Sequence, residues 1–308
     1  MNELFITFSN SLAALFTCIV VGYICRRKQM LNDTHTSGMA ELLVKVAVPC
    51  SVFMSLMRPF SAALLLESVA TFFIISTIFL LGILAGYGLA RAQKTSADAR
   101  VVLAYGVGFG NVGFMGIPVI QAVFGYEGLF YVAMALMSFN VLTFTLGIRM
   151  FDKSKVSKKE SLKIILRNTA LIATFIGFAF FLTGFRLPEA LEGGVSLIAG
   201  LTSPISMILI GAILAKQRIV ETLLDFKLLP SIALRLLVIP LLSLAILRLV
   251  VPNPIMLGVI VTLMAMPPAA LTAIFAEQYG GDAVTGSRLV VIGTLLCAIT
   301  VPTIALLL

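Results

Sequence analysis

Ten apolar runs of about 20 residues follow one another along this 308-residue chain, and that succession leaves few folds open. Runs of that length with few charges read as helices that cross a bilayer. They lie near 6–25, 37–57, 64–90, 101–123, 128–150, 165–185, 193–215, 228–249, 255–278 and 284–307. Hydrophobic residues make up 60% of the chain and charged ones 12%, with mean hydropathy +1.09, a balance that excludes a soluble globular domain. The expected fold class is an all-α membrane protein of about ten transmembrane helices.

The charges fall between the runs. The formal net charge is +8, from 22 basic and 14 acidic residues. Alternate loops carry Arg26, Arg27 and Lys28; Arg91, Lys94 and Arg100; Lys153, Lys155, Lys158, Lys159 and Lys163; and Lys216, Arg218 and Lys227. The loops between them hold Arg58, Arg186 and Arg248, one each, and the stretch from Gly280 to Arg288 fits the alternation least. Basic loops stay on the cytoplasmic side, so both termini are expected outside. The same pattern accounts for much of the +8 without a nucleic-acid partner. Glu3 precedes the first run and the basic residues follow it, the reverse of a cleaved signal peptide, so a retained first helix is expected. Cys18, Cys25, Cys50 and Cys297 lack metal-ligand spacing, and His35 is the sole histidine, which leaves no zinc site and little for histidine catalysis.

One run is peculiar. Gly106-Val107-Gly108-Phe109-Gly110-Asn111-Val112-Gly113-Phe114-Met115-Gly116-Ile117-Pro118 puts five glycines and a proline where a helix is due. Each glycine costs about 1 kcal/mol and the proline about 3 kcal/mol relative to alanine in a helix interior. Broken backbone at membrane depth persists only where protein buries it or it lines a wet cavity. Gly106 and Gly110 alone would fit ordinary close helix packing. Asn111 adds a polar amide beside the break. In the ninth run Met266-Pro267-Pro268-Ala269 breaks the pattern at the matching depth when the halves are compared by a shift of 155. Pro49 then faces Pro204, and Gly125-Tyr126-Glu127 faces Gly280-Gly281-Asp282. An odd number of helices per half inverts the second half in the bilayer. Residues 1–150 and 165–308 are therefore expected as two inverted five-helix repeats joined by a basic cytoplasmic loop, 151–164. Interrupted helices at corresponding positions of such halves point to a transporter binding site.

Asn111-x-Gly113-x-x-Gly116-x-Pro118, followed by Gly125-Tyr126-Glu127, resembles the auxin efflux carrier family, as does Met266-Pro267 leading to Ala276-Glu277-Gln278-Tyr279-Gly280-Gly281-Asp282. The resemblance extends over essentially the whole chain. It implies broken fourth and ninth helices that cross, and secondary transport of small organic anions such as auxins, malonate or malate. The short central loop is similar to that of bacterial members, which implies a multi-pass protein of the bacterial inner (plasma) membrane. Many relatives carry an asparagine shortly after the ninth-span proline; here Leu271 and Thr272 stand there.

The expected chemistry follows from helix ends. A broken helix exposes an N-terminal half with free amides and partial positive charge, suited to a carboxylate, and a C-terminal half with carbonyls, suited to a cation. Asn111 can both donate and accept there. The expected substrate-binding set is Asn111, Gly113, Gly116, Pro118, Pro267, Pro268 and Thr272, with the cations Lys45 and Arg235 supplied from the second and eighth spans. Glu41 lies one turn before Lys45 and can neutralise it, and both cations can also snorkel to the interface. Glu277 reads as a solvated helix end. Thr262, Ser138 and Asn140 read first as makers of local bonds. No cofactor is expected; coupling to H+ or Na+ stays open, as does a homodimer. The partners are a small organic anion and the lipid bilayer. An intramembrane enzyme lacks its aspartate pair, its serine with a base, or its zinc motif. A passive channel or uniporter and a membrane sensor remain alternatives to the carrier.

Overall fold

The computed structural model describes residues 2–151, 163, 166–216, 222 and 225–308, so most of the basic central loop lies outside the described residues. Helices account for nearly all of it. We number them α1 (Asn2–Arg27), α2 (Asp33–Leu56), α3 (Ala62–Ala92), α4 (Ala97–Gly108), α5 (Val112–Phe151), α6 (Thr169–Thr183), α7 (Glu189–Ala215), α8 (Phe226–Leu247), α9 (Pro254–Met264), α10 (Leu271–Gln278) and α11 (Ala283–Ala305). Each of the ten expected spans coincides with a helix or with two helix pieces. Among the described residues seven continuous stretches are long and apolar enough to cross a bilayer, and α6 and α9 are shorter apolar helices. The long α5 turns sharply at Gly125, where φ is 59° and ψ −154°, which divides it where the fourth and fifth runs meet. Only glycine takes that backbone freely.

Short polar side chains start the helices. Asn32, Ser96, Asn111, Asn168, Asn253 and Asp282 each accept a hydrogen bond from a backbone N–H in the first turn of the helix that follows. The cap by Asn111, at the break inside the membrane span, matters most, because an unsatisfied amide in hydrocarbon costs several kcal/mol. The outer surface is apolar: Leu84 is 68% exposed and Leu197 79%. That is the expected face toward lipid tails, since lipid supplies the apolar surroundings a soluble protein finds only in its core.

Where helices approach most closely, glycine lies at the contact. A Cβ on Gly22 of α1 would lie 2.1 Å from the Ile208 carbonyl oxygen of α7, and one on Gly211 of α7 1.9 Å from that of Ile19. A Cβ on Gly177 of α6 would sit 2.9 Å from Leu56 Cβ and 3.4 Å from the Phe53 carbonyl oxygen of α2. A shift of 155 residues carries Gly22 onto Gly177 and Phe53 onto Ile208, so the α1–α7 and α2–α6 contacts correspond residue for residue. The internal repeat thus recurs as repeated packing.

Candidate functional site

The breaks predicted in the fourth and ninth runs are both real, and they touch. Helix α4 ends at Gly108; Phe109 is extended, and α5 restarts at Val112. Helix α9 ends at Met264 and α10 begins at Leu271. Gly110 and Pro268 pair as an antiparallel bridge between the two gaps. The Asn111 N–H donates to the Pro267 carbonyl at 2.8 Å, and the Ala269 N–H donates to the Phe109 carbonyl at 3.0 Å. Two prolines leave the ninth segment few N–H groups, and the bridge uses what remains of the broken backbone.

Four helix ends meet at this point, and their environments differ by sign. The C-terminal ends of α4 and α9 face Arg235. Its Nε donates to the Met266 carbonyl at 3.0 Å, Nη1 to those of Val107 and Gly108 at 3.3 Å, and Nη2 to that of Leu263 at 3.3 Å. Arg235 is 0% exposed and rides on a π-helical turn, Leu234–Val238, within α8. The N-terminal ends of α5 and α10 face the other way, onto a cavity of about 310 Å³. Its walls include Asn111, Val112, Gly113 and Phe114 at the start of α5, and Ala269, Ala270 and Leu271 at the start of α10. Leu136, Phe139, Asn140 and Phe144 of the later half of α5, Val44 and Val48 of α2, and Asn168, Ala170 and Ile274 complete it.

Three amides supply the polarity of that cavity. Asn111 Oδ1 accepts from the Phe114 N–H at 3.1 Å, while its Nδ2 bonds to no described residue. Asn168 Nδ2 donates to Asn140 Oδ1 at 3.0 Å, and Asn140 Nδ2 donates to the Leu136 carbonyl at 2.8 Å. Asn168 Oδ1 caps α6 through the Leu171 N–H. No charged side chain lines the cavity among the described residues. The arrangement can hold a small solute by one polar end and clasp its apolar remainder. Among the described residues no group of three or more His, Cys, Asp or Glu could hold a metal ion.

The model of the membrane transport protein family matches residues 7–164 and 154–305. The chain belongs to this family. It is the auxin efflux carrier family whose motifs the broken spans resemble, and the protein is therefore a multi-pass membrane transporter and not an enzyme. It is similar to an uncharacterized transporter of Methanothermobacter thermautotrophicus, 25% identical over 97% of this chain and 98% of that one. It is also similar to the uncharacterized transporter YfdV of Escherichia coli K12, 22% identical over 96% of each chain.

Within this transporter the expected site residues divide. Asn111 and Gly113 line the cavity. Gly116 instead serves packing: a Cβ there would meet Leu263 Cδ2 at 2.7 Å. Pro118 follows directly on the π-helical turn Val112–Gly116 of α5 and does not line the cavity. Pro267 accepts the bridge bond, and Pro268 packs on Gly293, where a Cβ would come within 2.5 Å of its ring. Thr272 is fully buried beside Gly106 with its hydroxyl unpartnered, away from the cavity. The two expected cations do not line this cavity. Lys45 is 63% exposed and pairs with Glu41 on the outside of α2, where its long stem keeps the ammonium away from the crossover. Arg235 reaches the crossover on its carbonyl side and not on the cavity side. Glu277 is exposed at the end of α10, as expected. Thr262 is buried, and Ser138 bonds to Ser76 at 2.6 Å. Asn168 was not foreseen; as an asparagine opening an apolar run it reads as a cap, which it also is.

Proposed function

We propose that this transporter is a secondary carrier of a small organic anion, a carboxylate such as malonate, malate or an auxin-like acid, working by alternating access around the crossover. One observation carries the reading: both half-helix N-termini open on a single cavity while both C-termini are turned away onto a cation. Each helix N-terminus carries roughly half a positive charge. Two together offer about one, enough for one carboxylate without a cationic side chain. Asn111 Nδ2 adds a donor, and Phe114, Phe139 and Phe144 give the rest of the ligand an apolar seat. A volume near 310 Å³ suits a small acid.

The finer architecture proposed with it is ten spans in two inverted five-helix repeats, 1–150 and 165–308, with both termini outside and the loop 151–164 cytoplasmic. The matched α1–α7 and α2–α6 contacts support the repeats. In that orientation the cavity lies between the crossover and the cytoplasmic side, since Phe144 and Asn168 stand near the helix ends that flank the basic loop 151–164 and Ile274 near the end of α10 on the same side. Beyond the crossover Ile117, Leu129 and Val132 are buried in packing, which supports an inward-facing state.

Substrate counterflow in proteoliposomes, preceded by a thermal-shift screen of small carboxylates, tests the function. A carrier accumulates label against trapped unlabelled acid, and a ligand of the native state raises the melting temperature by mass action. Label that merely equilibrates would support a channel and sink the carrier.

A further inference from the structure

Arg235 is the one buried charged side chain among the described residues, and it has 0% exposure. A buried cation carries a heavy desolvation cost unless it is paired and fully hydrogen-bonded. Its guanidinium meets no carboxylate among the described residues. It meets four carbonyls, of Val107, Gly108, Leu263 and Met266, which close the C-terminal ends of α4 and α9. Each helix C-terminus carries about half a negative charge, so two such ends balance one cation in number as well as in sign.

A second observation shows the backbone shaped around that group. A Cβ built on Gly110 would lie 1.8 Å from Arg235 Nη2 and 2.8 Å from Cζ. The bridge residue between the two broken helices is thus bare on the side where the guanidinium lies. The π-helical turn that carries Arg235 widens α8 by one residue at the same level, a device that recurs at functional sites.

Converging carbonyls at broken helix ends are what carriers offer to a sodium ion. We propose that Arg235 is a resident counter-cation: it fills this carbonyl seat in place of an exchangeable metal ion, and so holds the α5 and α10 N-termini aimed at the cavity. It is a positioning residue, since it does not touch the cavity. The positioning part presupposes that the cavity is the anion site; the seat itself does not.

The experiment keeps the two apart. Purified wild type, Arg235→Ala and Arg235→Lys are melted in Na+, K+ or choline chloride, with and without millimolar guanidinium, and assayed for malonate counterflow. The wild type should melt and transport alike in all three salts. Arg235→Ala should melt lower and transport about tenfold or more slowly, corresponding to loss of at least one charge-assisted hydrogen bond. Guanidinium at concentrations far below denaturing should raise its melting temperature saturably and restore counterflow, with no such effect on the wild type. Arg235→Lys, which retains the charge, should fold and stay salt-indifferent even where the alanine variant cannot be purified. Wild-type transport that requires Na+, an alanine variant that melts as the wild type, or a lysine variant that acquires Na+ dependence would each overturn the proposal. If malonate counterflow is absent in the wild type while guanidinium still rescues the stability of Arg235→Ala, the seat stands and the choice of anion falls.

Discussion

Asn111→Asp separates the two tasks that one amide performs. Asn111 Oδ1 caps α5 by accepting from Phe114 N–H at 3.1 Å, and the rest of the amide borders the cavity. Aspartate keeps the acceptor and ranks with asparagine as a cap, while its charge beside a helix N-terminus adds roughly 0.3–1 kcal/mol. Asn111 is only 6% exposed, however, so desolvation of the carboxylate outweighs that gain and stability should fall. Binding should fall further. The variant loses the Nδ2 donor, worth about 1.5–3 kcal/mol toward a charged acceptor. It also gains a carboxylate beside the ligand's own, and at about 4 Å with an effective dielectric near 20 that repulsion is about 4 kcal/mol. Even the donor alone predicts affinity at least about tenfold weaker, and with repulsion more than a hundredfold. Asn111→Ala should lose the cap as well, about 0.5–2 kcal/mol of stability. Melting temperature and carboxylate affinity are measured on the same purified samples. An aspartate variant whose folded protein binds the carboxylate as tightly as the wild type would refute an anion site at Asn111.

Gly110→Ala should melt well below the wild type, because its methyl falls on Arg235 and 3.3 Å from the Leu263 carbonyl oxygen; overpacking of this kind costs about 1–3 kcal/mol. Gly113→Ala should melt normally, its nearest neighbour being Leu136 Cδ2 at 3.9 Å, yet weaken binding of a tightly fitting acid by entering the cavity. Lys45→Gln should leave counterflow unchanged, since Lys45 and Glu41 form an exposed i, i+4 pair worth only a few tenths of a kcal/mol. Tyr131→Phe should lower the melting temperature without altering affinity: its hydroxyl donates to Glu67 at 2.5 Å, in a cluster completed by Asn253, which caps α9, and such a bond contributes about 1.5–3 kcal/mol.

Much of this is legible in the sequence, for reasons that lie in lipid. Apolar runs located the helices because the bilayer enforces their length far more strictly than water does. The two breaks were legible because glycine and proline are costly in helices. What escaped was direction. Arg235 and Lys45 stand at similar depth in their spans, yet one is wholly enclosed and the other lies open. Nothing in a hydropathy pattern says which way around its helix a lone cation points, and a π-helical turn rotates everything beyond it by one further residue. Asn168 escaped for a different reason: its role depends on Asn140, 28 residues earlier, and on how α6 returns beside α5.

The bridge between Gly110 and Pro268 limits how such a protein can move. The early half of the chain contributes one of its sides and the late half the other, joined by Asn111 N–H to Pro267 and by Ala269 N–H to Phe109. A machine that opened like a clamshell, with one half of the polypeptide swinging off the other, would tear this seam on every cycle. If the site is presented to each face of the membrane in turn, the seam must ride with it as cargo. The parting surfaces then lie around the stitched helices, and the stationary frame takes residues from both halves of the chain.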